Sequence, residues 1–488
     1  MAALPFAGPT GFLSLMYAAR LWSVRHARGM RVCYEIFSRY AHYLGPLAGL
    51  IGRRRTERML KPVERATKGF LFDCRMCGQC VLSVTGMACP TNCPKGMRNG
   101  PCGGVRADGS CEVDAAMRCI WVEAMQGRKA IGGADVTTDA PVLSPRDYSR
   151  TNRSTWIEVI SGPGHHAEIH APAEHVVSAA PASFERACQS GKFLVTVEVA
   201  PPDSADPAVL VHCAARFDEL TDAINITDGA GGNCHMSSVA ASAILAQKGM
   251  TPIYQVACRD RNRIAIQGDI LGAAALGIRD ILCLTGDDVS QGDHPNAKPV
   301  FDLDAVALLG IARRMRDEGV YASGRGIAAV PKLFLGATAN PFVPPYLDRI
   351  ANLEKKVGAG AQFIQTQFCF DLDRLQDFMR EVRRRELHKR AHILVGVGTL
   401  GSVRALRWMV KHVPGVHIPE SFLKRIGAAA DQKAEAARAC IETIQAIAGI
   451  EGVAGVHVMG HRNEDVLAQV IIESGIREAT PSPIGAES

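Results

Sequence analysis

Phe193-Leu194-Val195-Thr196-Val197-Glu198-Val199-Ala200-Pro201-Pro202 decides how the rest of the chain is read. Seven residues, apolar or β-branched except for Glu198, run into a proline pair that a strand interior does not accept. This is a strand buried on both faces, with an acid near its C-terminal end. Similar short runs recur downstream at Ala223–Thr227, Pro252–Ala257, Asp280–Leu284, Lys332–Leu335, Phe363–Phe368, Ile393–Val397 and Gly455–Met459. Most are separated by one helical pattern. Continuous apolar strands alternating with helices form a parallel sheet, and eight such units match a closed (β/α)8 TIM barrel of the α/β class. A doubly wound open sheet is the alternative.

In such a barrel, chemistry sits where the strands end. Polar residues gather at those ends: Glu198 on the first, Thr227-Asp228 after the second, Gln255 in the third, Thr285-Gly286-Asp287-Asp288 after the fourth. Asn340-Pro341 follows the fifth, Gln365-Thr366-Gln367 lies in the sixth, and His461-Arg462 follows the eighth. Gly396-Val397-Gly398-Thr399-Leu400-Gly401 has the spacing of a dinucleotide fingerprint. It belongs to the seventh strand rather than to a first βαβ unit, so a tight turn at the barrel mouth is the preferred reading.

Val197-Glu198-Val199-Ala200-Pro201-Pro202, Ile226-Thr227-Asp228-Gly229-Ala230, Leu284-Thr285-Gly286-Asp287 and Gln365-Thr366-Gln367-Phe368-Cys369-Phe370-Asp371 resemble, in order and spacing, the flavin-dependent methylenetetrahydrofolate reductases. The resemblance implies an oxidoreductase that reduces 5,10-methylenetetrahydrofolate to 5-methyltetrahydrofolate with bound FAD. It implies Glu198 as the general acid that protonates N10 so that the imidazolidine ring opens; apolar surroundings favour the protonated form of such a carboxyl. Asp287 corresponds to an aspartate near both flavin and pterin, and Asp288 is the better helix cap. Gln367 corresponds to the amide that binds the pterin, and Arg462 to the arginine near the folate's glutamate carboxylate. Thr227, Gln255, Gly286, Asn340, Asn352 and Lys356 fall on positions that contact the flavin dinucleotide, and Lys355 with Lys356 would meet its pyrophosphate. Thr285 and Gln255 stand where many relatives have arginine and histidine. Ala405 and Met409 replace an amide and an aromatic residue that touch folate and nicotinamide.

Eight of the sixteen cysteines lie between Cys74 and Cys119. Cys74, Cys77, Cys80, Cys89, Cys93, Cys102, Cys111 and Cys119 open with C-x-x-C-x-x-C, and Cys89 and Cys93 each precede proline. Crowded thiols in a chain with scattered single cysteines point to a reducing compartment and a metal-binding module. Eight allow two four-cysteine sites, iron–sulfur by the spacing and proline or tetrahedral zinc, and the spacing does not pair them. The module resembles the small subunit that partners this reductase in acetogens, here fused to the barrel. With Met409 in place of the aromatic, that resemblance points to electrons from a ferredoxin-like donor, with NAD(P)H as the alternative.

The chain therefore divides into a basic helical extension (1–70), the small cysteine-rich module (71–128), a Pro/Ser/Thr/Ala-rich linker (129–185) holding Gly162-Pro163-Gly164, the flavin-binding barrel (186–478) and a polar, disordered tail (479–488). Residues 1–70 hold twelve Lys and Arg against three Glu, although the whole chain carries only +6. That arm is read first as a solvated amphipathic extension and second as a contact for an anionic partner or membrane surface. No run of apolar residues is long enough to span a bilayer. The expected setting is cytoplasmic, the assembly a homo-oligomer, and the partner a tetrahydrofolate rather than nucleic acid. Two other functions fit less well: a folate-dependent methyltransferase, and a non-catalytic subunit that docks redox proteins.

Overall fold

A computed structural model describes residues 12–132, 141–161, 183–413, 415–460 and 463–477. Eight parallel strands close into a barrel in chain order: β1 (Leu194–Val199), β2 (Ala223–Ile226), β3 (Pro252–Ala257), β4 (Asp280–Leu284), β5 (Phe334–Ala339), β6 (Phe363–Phe368), β7 (His392–Gly398) and β8 (Val453–Met459). β1 pairs with both β2 and β8, so no edge is left open. The open-sheet alternative is excluded.

Seven strands fall within two residues of their expected bounds, and β5 does not. Its small residues Gly336-Ala337-Thr338-Ala339 carry little strand propensity, so the sequence reading stopped at Leu335. Packing explains them: Gly336 pairs with Phe363, and a Cβ on Gly336 would lie 2.2 Å from the Phe363 ring. Tight packing also accounts for the GxGxxG run. A Cβ on Gly396 would lie 2.3 Å from the Thr366 carbonyl, and one on Gly398 2.1 Å from that of Met459. These glycines lie inside β7 and let its backbone pack against its neighbours, so the run is neither a dinucleotide loop nor, at Gly396 and Gly398, the expected tight turn.

Side chains at odd and even positions part as a barrel dictates. Val195, Val197 and Val199 face the surrounding helices within the main core. Leu194, Ile253, Leu282, Phe334, Phe363 and Leu394 fill the barrel's floor around Phe184. Phe184 belongs to the short helix Ser183–Gln189, which closes the barrel from below, its ring meeting Phe363 edge-on at 5.2 Å. The barrel unit thus starts at least three residues before the expected boundary at 186. Between β7 and β8 the chain adds the helices Val403–His412 and Glu420–Ala428 before Gln432–Ala448, with their own small core.

Upstream, the helices Ala27–Ala41, Gly45–Ile51 and Arg53–Phe72 precede the cysteine module, which Ile120–Gly132 closes. The expected linker folds back in its described part, 141–161. Asn152 N donates to Met76 O (2.8 Å), Thr155 Oγ1 to Glu64 (2.7 Å), and Leu143 N to Asn99 Oδ1 (2.6 Å). Gly162-Pro163-Gly164 and the tail 479–488 lie outside the described residues. No helix among the described residues is long and apolar enough to cross a membrane.

One buried acid gives the fold a pH signature. Asp280, at the start of β4, is 4% exposed, and its Oδ1 has no hydrogen-bond partner among the described residues. Burial pushes its carboxyl up to about 7, Glu185 adding to the shift and Arg279 opposing it. A raised carboxyl costs nothing below its unfolded value, costs more as pH rises toward the folded value, and costs a constant amount above it. Asp280→Asn is therefore expected to remove a loss of stability between about pH 4 and about pH 7, and to leave the variant more stable than wild type at alkaline pH, by at most about 4 kcal/mol. Thermal melts across this range check it; parallel curves would show that Asp280 does not titrate this way.

Candidate active site

Above the apolar floor lies a polar layer formed by inward residues of β1, β2, β6 and β8. Asn225 on β2 and Gln365 on β6 exchange side-chain hydrogen bonds (2.6 and 3.0 Å) across the barrel. Gln365 Nε2 also donates to Thr196 Oγ1 (3.2 Å), which lies 3.0 Å from Nδ1 of His457 on β8. All four residues are buried, and they satisfy one another where water does not reach.

Glu198 stands one step higher on β1. Its Oε2 lies 3.8 Å from His457 Nε2 and 3.5 Å from Gln255 Nε2, and its side chain is 27% exposed. Its surroundings are polar on the barrel side, not the apolar pocket that an acid in a valine-rich strand suggests. The valines flanking it point outward to the helices. Gln255, from β3, is buried. Thr227, just past β2, is buried, and its Oγ1 has no hydrogen-bond partner among the described residues. Asp287, past β4, is exposed and accepts a hydrogen bond from Gly231 N (2.9 Å) in the loop after β2. Asp288 caps the short helix Val289–Gln291 through Ser290 N, as its position predicts. Gln367 ends β6 with its Oε1 accepting from Phe368 N (3.0 Å), which orients its amide. Arg462 lies outside the described residues.

The other expected flavin contacts, Lys356 excepted, are engaged by the cysteine module, which covers one side of the rim. Asn340 Nδ2 donates to Gly103 O (2.9 Å) and Gly415 O (2.8 Å). Asn352 Nδ2 and Lys355 Nζ both reach Asn99 O (3.5 Å). The carbonyl of Gly286 accepts from Lys95 Nζ (2.9 Å), which also pairs with Glu112 (2.7 Å). Asp304 receives the backbone N–H groups of Arg98 and Asn99, both at 3.0 Å, and Arg349 donates to Cys102 O (2.7 Å). Lys356 turns inward to Thr338 O (2.6 Å). Burial, with Arg128 beside Lys355 and Arg349 beside Lys356, lowers both ammonium groups to about 8. Met409 packs into the core of the helices after β7.

The eight module cysteines part into two sets of four. Cys74, Cys77, Cys80 and Cys89 line one small cavity, and Cys93, Cys102, Cys111 and Cys119 line another. Among the described residues no group of three or more Cys, His, Asp or Glu is arranged to hold a metal ion as it stands, so the expected metal centre is not preformed. The thiols turn to neighbours instead: Cys89 Sγ lies 3.0 Å from Thr91 Oγ1, and Cys102 Sγ donates to Glu112 Oε2 (3.4 Å). Burial pushes the Cys89 and Cys93 thiols up to about 12. Each set has a buried lysine–glutamate pair beside it, Lys68–Glu64 and Lys95–Glu112.

The sequence reading missed His457, the Asn225–Gln365 pair and Lys95. The first three carried a usable signal. Counting back by twos from Glu198, Thr227 and Gln367, and along β8, reaches Thr196, Asn225, Gln365 and His457, all polar and all on the inward face of their strands. Lys95 carried none, because its partner Glu112 and the Gly286 carbonyl are remote in sequence.

Comparison with known proteins places these features. The family model described as methylenetetrahydrofolate reductase matches residues 183–475, and the one described as methylene-tetrahydrofolate reductase C terminal matches residues 54–149. A probable methylenetetrahydrofolate reductase (NADPH) of Caenorhabditis elegans is 29% identical over 188 residues, covering 38% of this chain and 26% of the relative. Methylenetetrahydrofolate reductase 2 of Schizosaccharomyces pombe is 26% identical over 208 residues, 42% of this chain and 32% of the relative. The chain thus matches about a third or less of the length of these curated relatives. A Clostridium thermocellum protein solved with 5-methyl-5,6,7,8-tetrahydrofolic acid aligns with 61% of this chain and all of its own, at 14% identity and a TM-score of 0.43. The first model covers more than half of the chain and includes every strand of the barrel: this chain belongs to the methylenetetrahydrofolate reductase family.

Proposed function

We propose that the barrel reduces 5,10-methylenetetrahydrofolate to 5-methyltetrahydrofolate, with a noncovalently bound flavin and with Glu198 as general acid. The observation that carries this reading is Glu198 itself: a partly exposed carboxyl at the barrel mouth, flanked by Gln255 and the buried His457. Protonating N10 makes it a leaving group, the ring opens, and an iminium cation is left at N5. Asp287 places a carboxylate at the same mouth to face that cation. Gln367, its Oε1 held by Phe368 N, keeps its amide N–H groups for the pterin. Arg462 would take the glutamate carboxylate.

A flavin, when bound, supplies the hydride. The residues at the mouth suit its ring system: Thr227 offers an unsatisfied hydroxyl and Gln255 an amide. On the far side, Asn340, Asn352, Lys355 and the Gly286 carbonyl already hold the module's segment 95–103. FAD, the flavin the family resemblance implies, is expected in the supernatant after acid release. Recovery of the shorter mononucleotide alone would show that this segment fills the place of the adenosine half. Absence of any flavin would overturn the reductase reading in favour of folate-dependent methyl transfer.

We further propose that each cysteine set holds one metal centre, iron–sulfur before zinc. The support is the division into two all-thiol sets, each of which includes thiols that burial raises, Cys89 in the first and Cys93 and Cys119 in the second, and which a cation would help to ionise. Iron–sulfur centres there would relay single electrons. A ferredoxin-like donor docked on the module is then the expected source of electrons. Two observations favour it over NADPH, the donor in the C. elegans relative's name: the module's hold on the rim at Gly286, and Met409 turned into a side core. Stopped-flow reduction of the flavin decides. Slow bleaching by NADH and NADPH with fast bleaching by ferredoxin is expected; rapid, saturable bleaching by either nucleotide in metal-free but folded protein would refute it.

A further inference from the structure

The N-terminal helices carry an apolar face that nothing among the described residues covers. In Ala27–Ala41, Phe37 turns toward the body, its ring 5.1 Å from Trp156. Val32, Ile36 and Tyr40, spaced four apart on another face, are 48%, 53% and 62% exposed. The face continues into the next turn and the helix Gly45–Ile51, where Leu44, Leu47 and Leu50 are exposed, Leu50 at 90%. After the turn at Gly52 the helix Arg53–Phe72 begins with three exposed arginines, Arg53, Arg54 and Arg55, and carries exposed Met59 and Val63. Single exposed apolar residues are ordinary, but a continuous run of them marks an interaction surface.

Charge decides what this face meets. The three acids of the region are all engaged: Glu35 pairs with Arg31 (2.8 Å), Glu57 accepts from Ser154 N (3.1 Å), and Glu64 is buried against Lys68 (2.6 Å). Cations border the leucines without an opposing carboxylate among those three, so the complementary surface is anionic. A second copy of the chain, related by a two-fold axis, would bring the same arginines to the same apolar face and repel. Leucine and tyrosine flanked by arginine, on short helices lying along the surface, is the pattern of a helix seated in the headgroup region of an anionic bilayer. We propose that these helices dock the protein on an anionic lipid surface, with Leu47 and Leu50 inserted and Arg53–Arg55 against the headgroups. No helix among the described residues crosses the bilayer, and the barrel is held beside it.

Co-sedimentation of the full chain with vesicles tests this, using phosphatidylcholine alone and phosphatidylcholine with about a third phosphatidylglycerol. The wild type is expected to pellet with the anionic vesicles only, less at high salt. Leu47→Glu/Leu50→Glu is expected to lose at least about ten-fold in partitioning, since both apolar contacts and charge are reversed. Both side chains are exposed, so its thermal melt should match wild type. Arg53→Glu/Arg54→Glu/Arg55→Glu gives a second test, should the first variant fail to fold, and the same loss is expected. Wild type left in the supernatant with both vesicles would overturn the proposal, and so would equal binding to both. A dimer that dissociates in the leucine variant, with no vesicle binding, would overturn it too and assign the face to a second copy.

Discussion

Glu198→Gln is expected to abolish reduction of methylenetetrahydrofolate, by at least about 100-fold, while the flavin stays bound and reducible. The amide keeps the side chain's size and its place between Gln255 and His457, but it has no proton to give N10. Little of the described fold rests on the charge: among the described residues the ion pair recorded for Glu198 is with His457 Nε2, at 3.8 Å. A structural role and a catalytic one therefore separate cleanly. The measurement is a pair of half-reactions on the same sample. Reduction of the flavin by its donor should match wild type, and reoxidation by methylenetetrahydrofolate should not. A variant that retains more than about a tenth of the wild-type reoxidation rate would show that the acid is another group. His457→Gln is the companion variant, expected to slow reoxidation less because His457 acts through Glu198 and the Thr196–Gln365–Asn225 layer.

The second large effect concerns the module. Because the cysteines line two separate cavities, Cys77→Ala is expected to empty the first centre and leave the second, and Cys111→Ala the reverse. Each variant should keep about half of the bound metal, because the other four thiols still hold their ion. The two losses should differ in reach. The second set shares its segment with the rim contacts: Arg349 holds the Cys102 carbonyl and Lys95 the Gly286 carbonyl. Emptying it should also loosen the flavin, while emptying the first should not. Metal analysis and flavin content after anaerobic purification check both. Unchanged metal in a variant lacking Cys74, Cys77 and Cys80 would contradict the assignment.

The barrel was legible because buried parallel strands leave unbroken apolar runs, and because its polar residues stand at strand ends. Glu198, Gln255, Thr227 and Asp287 all fall at the mouth where those runs stop. The C-terminal part of β5 escaped because its packing partner, the Phe363 ring, demands a glycine at Gly336, where the apolar run breaks off. The pairing of the cysteines escaped because spacing constrains neighbours in sequence, whereas Cys89 and Cys93, four residues apart, face different cavities. The seam escaped for a related reason. Asn340, Asn352 and Lys355 are the residue types that bind a phosphate-rich cofactor, and the same donors serve backbone carbonyls of residues 99 and 103 equally well. Residue type alone does not say which acceptor is present.

The central claim, reduction of methylenetetrahydrofolate at the mouth of this barrel, is tested most directly by a single turnover. Protein with its flavin reduced, free of excess donor and oxygen, is mixed with 5,10-methylenetetrahydrofolate, and the flavin's visible absorption is followed while the folate products are separated. The predicted result is recovery of the oxidised spectrum at a rate that saturates with folate, with one 5-methyltetrahydrofolate formed per flavin reoxidised. A flavin that stays reduced in the presence of saturating methylenetetrahydrofolate, or that reoxidises without forming the methyl product, would contradict it.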